Sequence, residues 1–229
     1  MSSQPPDGAA PHVLVDDVEA PVLSDDARHH LDRVRRLRDG DALTVTDGRG
    51  AWRAGRFRGR AEIEPDGPVI TVPSPEPEVT VAFALTKSDK PDLVVQKLTE
   101  LGVDRIVPFR ADRSVVRWDE TKAARQHERL VAIARSACEQ SHRCWVPVVE
   151  PVTDVADLAG RGAVRLDRGP VGVSLDRPVV AVGPEGGWSD RERAALPDTA
   201  GLGPHVLRAE TAAITAGALL GAMRSGWGR

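Results

Sequence analysis

Short apolar runs alternate with longer amphipathic stretches, and the two periods divide the chain into strands and helices. Residues 12–15 (HVLV) read as a short strand. Ser24 is placed to cap a helix over 25–36, with Leu31, Val34 and Leu37 on one apolar stripe. Residues 42–46 alternate as a strand, and the DGRG at 47–50 is a hairpin signal. Residues 51–58, 61–64 and 68–72 supply further strands. Many short strands separated by glycine turns predict a small β-barrel with one helix.

The PSPEPE run at 73–78 is a semi-rigid linker and sets the expected boundary between residues 1–73 and residues 79–229. The second piece opens with a strand over 79–85. A helix over 92–101 follows, with Gly102 as its stop, and then a strand over 103–109. Asp119 opens a long helix to about 141, with Leu130, Ala134, Ala137 and Cys138 turned inward. A short helix over 155–158 and strands over 163–166 and 179–182 come next. Ser189 and Glu192 form a capping box for a helix that Pro197 ends. The last helix covers 212–223. Strands alternating with helices predict an α/β domain with a mostly parallel sheet covered on both faces. Ala212, Ala213, Ala216, Gly217 and Gly221 cluster on the last helix, where small residues admit a close neighbour, either the chain's own sheet or a second subunit.

Composition adds limits. The 229 residues suffice for one large or two smaller domains, and the 41% apolar share suffices for a core. Aromatics make up 3% with no tyrosine, which argues against base-stacking platforms as the main route to any RNA contact. The net charge of −3 does not itself point to nucleic acid. Yet only Lys87, Lys90, Lys97 and Lys122 of the 31 basic residues are lysine. Between 33 and 60 nine arginines face only Asp39, Asp41 and Asp47, an excess of six positive charges. Such a patch is either a solvated face or the footprint of a phosphate backbone. Cys138 and Cys144 fit neither a CxxC pair nor a common zinc spacing and read as free thiols in a reducing compartment. Residues 1–11 lack the apolar core of a signal peptide, and the most apolar helix candidate, 211–223, is too short to span a bilayer. A soluble, cytoplasmic protein without membrane contact is expected.

The chemistry concentrates in two loops. Residues 183–189 (GPEGGWS) leave a buried strand and open a helix, and residues 202–211 (LGPHVLRAET) do the same further on. Loops at the carboxyl ends of strands are where α/β sheets hold ligands. No phosphate-gripping GxxxxGK[ST], no GxGxxG after a strand and no HExxH occurs, and no histidine pair has metal-ligand spacing. Glu185, central in the first loop, repels phosphate and suits a cation. That disfavours a nucleoside triphosphate and is compatible with a sulfonium cofactor, though an outward-pointing or capping role fits equally.

These features, taken with others in order, resemble the ribosomal RNA small subunit methyltransferase E family. The resemblance runs through HHL at 29–31, LRDGD at 37–41, DGRG at 47–50, Lys87, QKLTELG at 96–102, RSVV at 113–116 and EQSHR at 139–143, and closes on the two loops. His142 stands where glycine or asparagine is more usual, and Cys144 follows Arg143. The resemblance implies a PUA-like RNA-binding domain followed by a SPOUT-type α/β domain with a trefoil knot. It also implies S-adenosylmethionine as cofactor, a homodimer, and methylation of uridine N3 in 16S rRNA of the small ribosomal subunit. Periodicity alone carries no sign of a knot.

Carried onto this chain, the cofactor pocket comprises Leu166, Gly183, Pro184, Glu185, Gly186, Gly187, Leu202, Leu207, Arg208, Thr211 and Ala212. Arg33, Arg36, Arg38, Lys87, Arg113, Arg117 and Arg143 are the RNA-binding candidates. Arg143 and Arg208 are candidates to stabilise the uridine anion, with Glu139 or Glu210 orienting them or accepting the proton. A phosphate-only role for Arg143 and a capping role for Glu210 stand beside these readings. A non-catalytic assembly factor and a nucleotide hydrolase are the rival functions. The intact loops weigh against the first, and the missing phosphate-gripping lysine against the second.

Overall fold

In the computed structural model the described residues are 4–5, 10–24, 27–28, 31, 37–58, 62–87, 89–169 and 171–227. They form two compact units, one of residues 1–74 with 135–146 and one of residues 75–134 with 147–229. The linker read from the sequence lies at this division, and the segment 135–146 joins the first unit across a long stretch of chain. Of the expected helix over 25–36, residues 25–26, 29–30 and 32–36 lie outside the described residues, among them His29, His30, Arg33 and Arg36. At its start the Ser24 hydroxyl accepts from the Ala27 N–H at 3.2 Å.

The first unit is a five-stranded sheet: β1 (His12–Leu14), β2 (Ala42–Thr46), β3 (Ala51–Arg58), β4 (Glu62–Pro65) and β5 (Ile70–Thr71). Its order is β1-β2-β3-β4, with β5 also on β3. β1 runs parallel to β2, while β2 and β3 form the hairpin expected from DGRG. Asp47 Oδ1 closes that turn by accepting from the N–H groups of Arg49 and Ala51 at 2.7 and 3.0 Å. Inward positions of alternate register (Leu43, Val45, Phe57, Ile63) meet Val13, Val15 and Leu31 in one core. Trp145 packs beside Gly50, where a Cβ would lie 2.5 Å from the indole, and donates from Nε1 to the Val72 carbonyl at 3.0 Å.

The second unit is a six-stranded, wholly parallel sheet of order β11-β9-β10-β6-β7-β8. Its strands are β6 (Thr80–Ala84), β7 (Arg105–Phe109), β8 (Val148–Val149), β9 (Val164–Leu166), β10 (Val179–Val182) and β11 (Thr199–Ala200). Its helices are α1 (Lys90–Glu100), α2 (Glu120–Gln140), which ends in the first unit, α3 (Val155–Gly160), α4 (Asp190–Ala195) and α5 (Ala209–Arg224). Strand alternation divides the core between the two faces of the sheet. Val81, Phe83, Val180 and Val182 face one way and pack on α1, α2 and α5. Ala82, Ala84 and Ala181 face the other way and admit α3, α4 and Trp188.

The small face of α5 is filled within this chain. Ala213, Ala216 and Leu220 are fully buried. A Cβ on Gly217 would lie 2.6 Å from Leu98 Cδ2, and one on Gly221 2.7 Å from the Leu101 carbonyl oxygen. The side of α5 left exposed instead carries Leu219 and Met223, with Trp227 just beyond the helix end. α5 also starts three residues earlier than its pattern suggests. Arg208 occupies the N-cap position without a side-chain cap bond, and Glu210 lies inside the first turn. Glu210 is therefore not a helix cap.

Candidate active site

Because every strand of the second sheet is parallel, the carboxyl ends of β6, β7, β9, β10 and β11 share one edge. The loops carrying most of the sequence candidates leave from that edge.

Trp188 anchors the glycine loop after β10. Its indole is 3% exposed, stacks on Phe109 at 5.8 Å between ring centroids, and donates from Nε1 to the Leu166 carbonyl at 3.1 Å. One ring thus ties together the ends of β7, β9 and β10. Gly183 is glycine because a Cβ there would lie 2.7 Å from Trp188 Cε2. The Gly187 N–H donates to the Pro184 carbonyl at 2.9 Å, and Gly187 takes φ +72° with open space where a Cβ would be. Gly186 is crowded by Arg113, whose Cβ and carbonyl oxygen stand 3.1 Å from a Cβ there.

The capping box read from the sequence does more than end a helix. Ser189 Oγ accepts from the Glu192 N–H, and Glu192 Oε2 accepts from the Ser189 N–H at 2.8 Å. Glu192 is fully buried, and its other oxygen accepts from the Asp112 N–H at 2.8 Å, fastening the loop after β7 to the glycine loop. Asp112 in turn accepts from Arg191 and Ser189, which hold its carboxyl below the usual carboxylate range.

Charge gathers around Lys90 at the start of α1. Its ammonium donates to Glu185 Oε1 at 2.5 Å and stands 3.4 Å from Glu210 Oε2. The cation that Glu185 faces is therefore a lysine of this chain. Lys90 holds the Glu185 carboxyl below the usual carboxylate range, with smaller help from Arg208 and Lys87. Glu210 Oε2 is buried and has no hydrogen-bond partner among the described residues. Glu185, Arg208 and Glu210 thus converge from two loops. Lys90 was not singled out from the sequence, because its two partners lie far along the chain and no local spacing links them. On the second loop Leu202 and Leu207 are half-buried, and Gly203 takes φ +123° with open space around it.

Glu139 and Arg143 belong to the first unit. Glu139 Oε1 accepts from the Leu14 N–H at 2.9 Å. The Arg143 carbonyl lies 3.2 Å from His12 Nε2 and accepts from the Cys138 thiol at 3.0 Å. Between them His142 adopts φ +56° and stacks on His12 at 5.3 Å. The left-handed backbone explains why glycine or asparagine suits position 142. Burial pushes the thiols of Cys138 and Cys144 up to about 12, which leaves them protonated and unreactive at neutral pH.

Of the RNA-binding candidates, Arg38, Lys87, Arg113 and Arg117 are exposed. The arginine cluster is less unbalanced in space than in sequence. Arg53 pairs with Glu19, Arg56 with Asp66 and Arg58 with Glu64, all acids from outside the 33–60 window. Among the described residues, no group of three or more His, Cys, Asp or Glu could hold a metal ion, and no helix is long and apolar enough to cross a membrane.

The chain matches an RNA methyltransferase domain over residues 73–221 and an RNA methyltransferase PUA domain over residues 23–63. It is 33% identical to ribosomal RNA small subunit methyltransferase E of Mycobacterium bovis, covering 90% of this chain and 87% of that one. The identity to the Bacillus subtilis protein of the same name is 32%, with 86% and 89% covered. Among solved structures it resembles a putative methyltransferase of Legionella pneumophila with bound S-adenosylmethionine (TM-score 0.82, 27% identity, 94% and 98% covered). It also resembles ribosomal RNA small subunit methyltransferase E of Neisseria gonorrhoeae bound to S-adenosylmethionine (TM-score 0.79, 28% identity, 95% and 98% covered). The chain belongs to the ribosomal RNA small subunit methyltransferase E family.

Proposed function

We propose that this protein transfers a methyl group from S-adenosylmethionine to N3 of a uridine in 16S rRNA, within the small ribosomal subunit in the cytoplasm. The observation that carries the proposal is the convergence of the two family loops at the carboxyl edge of the parallel sheet, around Lys90, Glu185 and Glu210. Residues 79–229 form the catalytic domain in this reading, and residues 1–73 the PUA-like RNA-binding domain.

The cofactor supplies a methyl group on a sulfonium, an electrophile that needs no metal. Several features support a pocket for it between the loops. The backbone of Gly187 and Gly203 is open to a ligand, and Leu202 and Leu207 offer half-buried apolar surface. Leu166, Gly183, Pro184, Glu185, Gly186, Arg208, Thr211 and Ala212 complete the proposed lining. Backbone groups carry most of the hold, so the glycines matter more than the polar side chains.

The reacting N3 must lose its proton and then be held in line with the methyl group. Arg208 supplies positive charge for the resulting anion, and Arg143, in the first unit, takes the phosphate-only role. Glu139 Oε1 accepts from a backbone N–H and Glu210 Oε2 is ion-paired with Lys90, so either carboxylate would exchange a partner to orient the arginine or accept the proton. A homodimer is part of the proposal, supported by the exposed Leu219, Met223 and Trp227 along and beyond α5. Incubation with labelled S-adenosylmethionine and small-subunit particles tests the reading. Label in rRNA supports it, and RNA binding without transfer would leave the assembly-factor alternative.

A further inference from the structure

The capping box at the start of α4 uses only one carboxylate oxygen of Glu192. Oε2 accepts from the Ser189 N–H at 2.8 Å, as such a box requires. Oε1 points away from the helix and accepts from the N–H of Asp112, 80 residues earlier in the chain, at 2.8 Å. The side chain is fully buried, so an oxygen whose donor moved away would have no water to replace it.

Further links join the same two loops. The Asp112 carboxylate accepts from the Ser189 hydroxyl at 2.5 Å and from Arg191 at 2.5 Å. A Cβ on Gly186 would stand 3.1 Å from both Cβ and the carbonyl oxygen of Arg113, and an Arg113 side-chain N–H reaches the Gly186 carbonyl at 3.4 Å. A buried carboxylate, an ion pair and a close backbone approach therefore fasten the loop after β7 to the glycine loop after β10. Capping a helix of six residues requires none of these contacts to a distant loop.

The two loops serve different ligands in the proposed function. The glycine loop lines the cofactor pocket, and the loop after β7 carries the exposed Arg113 and Arg117, both RNA-binding candidates. A shift of one loop must carry the other with it or break the Glu192 contact. A ligand that fixes one loop therefore lowers the cost of fixing the other. We propose that Glu192 and Asp112 are positioning residues that couple the two ligands, so that bound S-adenosylmethionine strengthens RNA binding and bound RNA strengthens cofactor binding. The proposal rests on the methyltransferase reading and deepens it, adding an energetic link between the two sites.

The affinity of the full chain for a 16S rRNA transcript is measured with and without saturating S-adenosylhomocysteine, which lacks the transferable methyl group. The affinity for S-adenosylhomocysteine is measured with and without the transcript. In the parent each ligand should tighten the other by the same factor, roughly tenfold. Asp112→Ala removes the ion pair and keeps the backbone N–H that Glu192 uses. Glu192→Gln keeps the shape and sets an amide NH2 against one of the two donors. Both variants should shrink the factor toward one, and Asp112→Asn, which retains an acceptor oxygen, should recover part of it. A purely structural role would lower the urea midpoint or weaken each ligand separately and leave the factor as in the parent. That result in Asp112→Ala, an exposed position, would overturn the proposal even where Glu192→Gln fails to fold. A factor of one in the parent would also overturn it, while methyl transfer by the parent would still stand. Conversely, a parent that shows the coupling yet transfers no methyl group from S-adenosylmethionine would sink the enzymatic reading and not the coupling.

Discussion

A side chain on Gly183 would collide with the indole of Trp188, since its Cβ would lie 2.7 Å from Cε2. The indole cannot yield easily, because it stacks on Phe109 and donates to Leu166. Gly183→Ala should therefore cost about 1–3 kcal/mol of stability through overpacking and weaken S-adenosylmethionine binding. Calorimetry and chemical denaturation read the two effects. A variant as stable as the parent would contradict the account of this turn.

Position 142 separates backbone from side-chain demands. His142 sits at φ +56°, where a β-branched residue is strained. His142→Val should destabilise the protein by about 1–3 kcal/mol, whereas His142→Gly and His142→Asn should stay close to the parent. Equal midpoints for all three in urea would show that the left-handed turn is not kept in solution.

Acid should weaken the first unit through His12. Burial, opposed by the Arg143 carbonyl and reinforced by His142, lowers its pKa from 6.5 to about 4. Across that window the unfolded chain binds a proton that the folded chain refuses, so stability rises with pH and is lost as pH falls. The full effect is on the order of 3 kcal/mol. Urea midpoints at pH 7 and pH 5 should differ more for the parent than for His12→Asn.

The two sides of α5 should respond differently. Gly221→Val places a side chain against the Leu101 carbonyl and should destabilise the fold. Met223→Glu, on the exposed side, should leave stability nearly unchanged and shift sedimentation toward monomer. A Met223→Glu protein that sediments like the parent would remove this face from the proposed dimer.

Much of the fold was legible because burial imposes periods on sequence. The strand over 179–182 and the Ser189–Glu192 capping box coincide with the observed elements. β8 and β11, each of two residues, were not legible, since two residues cannot display a period. The start of α5 was missed because Arg208 caps it without a side-chain bond, so the usual Ser, Thr, Asp or Asn signal is absent. In the candidate site the glycine loops could be read locally. Lys90 could not, because its role exists only through partners 95 or more residues away. The arginine excess was overcounted for the same reason, its neutralising acids lying outside the window.

Nucleoside analysis of small-subunit rRNA tests the central claim most directly. Particles from a strain lacking this protein are incubated with S-adenosylmethionine and either the parent or Gly187→Val, and the RNA is digested and resolved by mass spectrometry. The account predicts N3-methyluridine with the parent and none with the variant, whose open glycine backbone is closed to the cofactor. A parent that binds S-adenosylmethionine yet leaves every uridine unmethylated, or methylates another atom, would contradict it.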